Sequence, residues 1–149
     1  MPNKSYSDSL YFSRKMLLSK AYFKLTGSSI KVLNIFFMKR KVVKVKGSQR
    51  SEYMTTNNGD IKFSYKEAHS KYKFNKSTFG RAIDQLIELG FIELTHQGGG
   101  QALDFNKYAL INQWANYETD TFNISKRPKT VKLNDSYLKN FVNKIKPQK

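Results

Sequence analysis

The sequence predicts an α+β fold, and three observations predict it. Start and stop signals mark two closely linked helices between Ser64 and Gly90. Apolar strands, Phe91–Thr95 and Phe105–Ile111, then flank three consecutive glycines. Earlier in the chain, Val42, Val43 and Val45 interrupt helical periodicity with a β-type run.

Residues 1–12 read as an N-terminal arm. The stretch SRKMLLSKAYFKL offers a short helix anchored by Leu17, Leu18, Tyr22, Phe23 and Leu25. Thr26 is a good N-cap, and Ile30, Leu33, Phe36 and Phe37 behind it recur at helical spacing, giving one buried stripe. Lys39, Arg40 and Lys41 stand where the helix dipole favours cations. Val42–Val45 and Tyr53–Thr56 then suggest two strands of a basic β excursion carrying Lys44 and Lys46. Asn58-Gly59 signals a turn ahead of Ile61-Lys62-Phe63.

Ser64 and Glu67 have the S-x-x-E spacing of a capping box, so a short helix is expected from Tyr65, bearing Lys66 and ending near Lys73. Asn75 is the next N-cap, with Phe74 and Phe79 at the positions of a hydrophobic staple. The second helix runs from about Lys76 to Leu89, and Gly90 closes it. At about 100° per residue, Phe79, Ala82, Ile83, Leu86 and Ile87 share the buried side. Ser77, Arg81, Asp84 and Glu88 face outward, with Thr78 and Gln85 on one flank. Two short-linked helices, the second longer and polar in its first turn, read as a helix-turn-helix. Short polar and cationic side chains suit a helix that enters the major groove. Gly80 permits either close approach to a ligand or a tight helix–helix contact, since an interior glycine otherwise costs roughly 1 kcal/mol.

The glycines Gly98, Gly99 and Gly100 join strand to strand. A phosphate-binding glycine loop needs a helix directly behind it, and none follows here. No G-x-x-x-x-G-K-[ST] or G-x-G-x-x-G motif is present. A hairpin laid directly after such a helix is instead the wing of a winged helix. The chain FSYKEAHSKYKFNKSTFGRAIDQLIELGFIELTHQGGG, followed by KYALINQWANY, resembles the small winged helix-turn-helix proteins of bacterial plasmids, phages and other mobile elements. The resemblance spans about Phe12 to Tyr117. It implies a replication-associated or transcriptional DNA binder. It also implies that Lys76, Ser77, Thr78 and Arg81, with Gly80 and Gln85 beside them, meet bases or phosphates. His96, Gln97, the three glycines and Gln101 would approach as the wing. This wing departs from the pattern in having no Lys or Arg between Thr95 and Asn106.

Charge points the same way. The 149 residues hold 27 Lys and Arg against 11 Asp and Glu, a formal +16. The first 50 hold 12 basic residues and 1 acidic. A surplus of this size opposes compaction and is rewarded by a polyanion that releases counterions. Lys39, Arg40, Lys41, Lys44, Lys46, Lys66 and Lys73 are therefore expected on the phosphate backbone. The chain has no cysteine, which excludes a disulfide framework and thiolate metal sites. MPNKSYSDSL carries no apolar signal region, and a cytoplasmic location is expected. His69 and His96 are too few and too scattered for a metal site, and no nucleophile–base arrangement stands out. No enzyme, cofactor or small-molecule ligand is expected.

Beyond residues 13–117, Trp114 and Tyr117 are read as covering the end of the domain. Residues 118–133 form a basic, proline-interrupted linker, read as a tether, with a groove-reading arm as the alternative. Residues 134–149 place Leu138, Phe141, Val142 and Ile145 on one helical stripe, too short to stand alone in water. That stripe is expected to pack on its own domain, on a second copy as a homodimer, or on another protein. The expected partner is double-stranded DNA, read sequence-specifically. Two alternatives remain: a non-specific nucleic-acid or scaffolding protein, and a metal-dependent nicking enzyme.

Overall fold

Serine side chains divide the first helical segment. In the computed structural model, which describes residues 10–47, 49–50, 52–99 and 103–128, Ser13 caps α1 (Arg14–Leu17) and Ser19 caps α2 (Lys20–Phe23). The Ser19 hydroxyl also donates to the Met16 carbonyl at 2.7 Å. A second cap inside SRKMLLSKAYFKL breaks the single expected helix into two one-turn pieces. The anchors change accordingly: Met16, Ala21 and Leu25 are buried, while Leu18 and Phe23 are exposed.

Thr26 caps α3 (Gly27–Lys39), accepting from the Ser29 amide. Its buried face includes Ser29, Val32, Leu33, Ile35 and Phe36. That is wider than the stripe the spacing predicts, because the helix at Lys76–Glu88 and the ring of Tyr108 both pack against α3. Strands β1 (Val42–Lys44) and β2 (Tyr53–Thr55) form their own antiparallel ribbon, pairing Val43 with Met54. Asn57 ties the ribbon's base: its Oδ1 accepts from the Lys41 amide at 2.8 Å and its Nδ2 donates to the Lys39 carbonyl at 3.0 Å.

Strand β3 (Ile61–Lys62) leads into α4 (Tyr65–Tyr72), α5 (Lys76–Glu88), β4 (Ile92–His96) and β5 (Lys107–Leu110). The three strands form an antiparallel sheet in the order β3-β5-β4, with Tyr108 opposite both Ile61 and Leu94. Only half of the expected capping box forms. The Ser64 hydroxyl accepts from the Glu67 amide at 3.1 Å. The Glu67 carboxylate turns instead to Lys39 Nζ, at 2.6 and 2.8 Å, because an ammonium is a stronger partner than a backbone amide. Asn75 caps α5 through the Thr78 amide at 2.7 Å, and the Phe74 and Phe79 rings lie 6.3 Å apart as a staple.

All five apolar residues expected on the inner face of α5 are buried. They meet α3 and an aromatic cluster centred on Phe63, whose ring lies 5.5 Å from Phe36 and 4.7 Å from Phe79. Tyr108 is fully buried 5.3 Å from Phe36. Burial raises the pKa of its phenol, with the Asn106 hydrogen bond opposing. Gly90, at φ +78°, turns the chain from α5 into β4. A 3-10 turn, Gln113–Asn116, then stacks Trp114 on Phe91 at 6.2 Å. Trp114 is buried, and Tyr117 packs at the core's edge. Among the described residues, no helix is long and apolar enough to cross a membrane. The stripe expected at 134–149 lies outside the described residues.

Candidate nucleic-acid interface

The N-terminal end of α5 carries the most open polar surface on that helix. Lys76, Ser77 and Arg81 are exposed, while Thr78 is half-buried with its amide held by Asn75. Two residues expected beside them serve the fold instead. Gly80 is buried, and a Cβ there would lie 3.2 Å from the Tyr65 hydroxyl. Its smallness admits Tyr65 of α4 and leaves no surface for a ligand. Gln85 spends its whole amide on the turn before α3. Its Oε1 accepts from the Thr26 amide at 2.9 Å, and its Nε2 donates to the Lys24 carbonyl at 3.1 Å.

In the hairpin after α5, His96 Nε2 lies 2.6 Å from Asp104 Oδ1, so the imidazole is engaged across the hairpin rather than turned to a partner. Gln97 is exposed. A Cβ on Gly98 would run into the Asp104 carbonyl and come within 2.8 Å of the Asn106 nitrogen. The Gly98 amide donates to Asn106 Oδ1 at 2.8 Å, and Asn106 Nδ2 donates to the Tyr108 hydroxyl at 3.2 Å. Gly98 is thus required where two strands cross closely. Gly99 adopts φ +118° in open space. Gly100 and Gln101 lie outside the described residues, and Leu103 beyond them is highly exposed.

The basic residues assigned to phosphate separate into two groups. Lys39 is committed to Glu67 and also lies 5.1 Å from the centre of the Phe63 ring. Arg40 stacks on Phe37 at 4.4 Å, and burial lowers its pKa. Lys39 is thus spent on a carboxylate, whereas Arg40 stays charged and half-buried over the ring. Lys41, Lys44 and Lys46 are exposed along the β1–β2 ribbon, and Lys66 is exposed on α4. Lys73, in the left-handed conformation at φ 61°, is exposed and donates to the Ser70 carbonyl at 3.0 Å.

One cluster escaped the sequence reading. Arg127, from the segment expected to be a tether, grips Asp84 of α5 through two bonds, Nε–Oδ1 at 2.9 Å and Nη2–Oδ2 at 3.1 Å. Its Nη1 donates to the Tyr65 hydroxyl at 2.7 Å. Burial acts to lower its pKa, but the Tyr65 bond and the nearby charges prevail and raise it. Asp84 therefore pairs with Arg127. A cleft of about 310 Å³ opens between this cluster and the hairpin, bounded by Tyr65, Gln97, Phe105, Asn106, Arg127 and Pro128. No periodicity announces the cluster, since its members are separated by 62 and 43 residues. Comparison of the chain with protein-family models, with curated proteins and with solved structures finds no match.

Proposed function

We propose that the protein is a winged helix-turn-helix module that binds double-stranded DNA. It reads a short site, as a transcriptional regulator or replication-associated binder of a mobile element. The observation that carries this reading is the exposed set Lys76, Ser77 and Arg81 at the start of α5, backed by an apolar face buried against α3. A helix about 10–12 Å across fits a major groove about 12 Å wide. The order helix, strand, helix, helix and hairpin supports it, with the hairpin joined to α5 by a single tight turn at Gly90. In this reading α5 supplies base contacts. Lys41, Lys44, Lys46, Lys66 and Lys73 supply phosphate contacts, and the hairpin approaches through the exposed Gln97. The module acts in the cytoplasm without a cofactor.

Selection from random duplex pools tests the reading. Enrichment of one motif is the expected result, and a flat profile would reject sequence-specific recognition. Against the recovered site, Arg81→Ala is expected to cost about 1–3 kcal/mol if Arg81 grips a guanine. Unchanged affinity would remove Arg81 from the reading surface. A second reading, indiscriminate phosphate binding, is favoured by the +16 charge alone. Salt dependence cannot separate the two, but the ratio of specific to non-specific affinity can.

A further inference from the structure

Arg127 carries an inference that rests on the DNA-binding reading and adds a third element to it. We propose that residues 123–128 form a wall of the same DNA interface, pinned beside α5 by Arg127 so that Lys126 is held toward the phosphate backbone.

Asp84 lies on the outward face of α5, in line with Ser77 and Arg81 and 44% exposed. Left alone, this carboxylate would repel a duplex lying along the helix. The guanidinium of Arg127 neutralises it in a two-bond fork, the geometry in which an arginine–carboxylate pair is strongest and most directional. Tyr65 adds a third bond from α4, so the side chain is fixed from two helices at once. Gly80 makes room: a Cβ there would press the Tyr65 hydroxyl at 3.2 Å and lie 3.8 Å from Arg127 Nη2.

Such a segment could shield the helix from DNA or extend the surface offered to it, and burial decides between these. Arg127 is recessed, with 23% of its side chain exposed. With the segment seated, Lys76, Ser77 and Arg81 remain exposed on α5, and Lys126, the residue before Arg127 in the chain, is exposed as well. The docked chain thus covers none of the three residues that would read bases. It neutralises one negative charge on the face, and in the proposal it carries the adjoining Lys126 toward it. Seating the segment and binding a polyanion therefore favour each other, and by linkage the coupling is reciprocal.

The test uses the full chain and a short mixed-sequence duplex, with affinity measured across a salt series. Arg127→Ala is expected to weaken binding about tenfold, within the usual range for coupled sites. It should make the log–log salt slope shallower by about one contact. Lys126→Ala is expected to weaken binding in the natural background and to do nothing further in the Arg127→Ala background, because Lys126 is then no longer held. Tighter binding by Arg127→Ala would overturn the proposal and show that the segment shields α5. Equal losses from Lys126→Ala in both backgrounds would overturn the pinning. Lys126 is exposed, so its substitution tests the idea even where Arg127→Ala disturbs folding; unchanged affinity and salt slope would also overturn it. An unsubstituted chain that binds no duplex would end the DNA-binding reading itself, a result separate from all of these.

Discussion

Replacing Gln85 by alanine separates a structural role from a DNA-reading one at a position where the sequence pointed to DNA. The substitution removes two hydrogen bonds, to the Thr26 amide at 2.9 Å and the Lys24 carbonyl at 3.1 Å. Each bond of this kind contributes about 0.5–1.5 kcal/mol net. Both backbone groups stay accessible to water, so the released partners are rehydrated and the cost falls in the lower half, about 1–2 kcal/mol in total. For a domain of this size that is a melting temperature lower by about 4–8 °C. Gln85→Glu keeps the acceptor for Thr26 and loses the donor to Lys24, so about half the loss is expected. Thermal melts followed by circular dichroism measure the first quantity, and duplex titration well below the melting temperature measures the second. Affinity of the folded variant should be unchanged. A Gln85→Ala protein that melts normally but binds DNA poorly would refute the clamp and return Gln85 to the reading face.

Other expectations follow from the same geometry. Gly90→Ala should destabilise the chain by more than about 2 kcal/mol, since φ +78° strains any Cβ and that atom would sit 2.7 Å from Gln113 Cβ. Gly99→Ala, at φ +118° with no neighbour within 4 Å, should cost only about 1 kcal/mol; urea melts giving equal losses would refute the distinction. Lys39→Met should leave the salt slope of DNA binding unchanged, whereas Lys66→Ala should lower it by about one contact, because only Lys66 is uncommitted to a carboxylate. Equal slope changes in salt-series titrations would contradict this. Asp60, hydrogen-bonded to and facing the charge of Lys107 at 2.7 Å, is held below the ordinary aspartate value. Its contribution to stability is therefore present above that ordinary value and is lost as pH falls through the lower folded value. Carboxyl chemical shifts should show Asp60 titrating low in the natural chain and normally in Lys107→Ala.

Short-range chemistry was the legible part of this chain. Thr26, Ser64 and Asn75 cap the helices expected of them, because a cap is decided by one side chain and an amide three residues away. The inner face of α5 follows from spacing alone. Spacing was a poorer guide for α3, where Val32 and Ile35 are buried outside the expected stripe because neighbours cover the helix on more than one side. Long-range polar ties were invisible. Gln85 meets Thr26 across 59 residues, Asn58 brackets Leu110 across 52, and Arg127 reaches Tyr65 across 62. Each is a side chain whose local sequence reads as solvent-facing. Of the candidate site, the exposed start of α5 was legible, whereas the commitments of Lys39, Arg40, Gly80, Gln85 and His96 depend on partners that only the folded chain supplies.

The bonds linking Gly98, Asn106 and Tyr108 have a mechanical consequence. The amide near the hairpin's tip is tied through one asparagine to a buried phenol packed on Phe36. The hairpin therefore behaves as a lever with a stiff root and a glycine end, not as a hinged flap. A load applied at Gly98 is felt by Tyr108, and through it by Phe36, 5.3 Å away. Bending that lever to follow a curved surface costs core energy. Surfaces that meet the tip without moving its root are the ones this hairpin can grip at least cost.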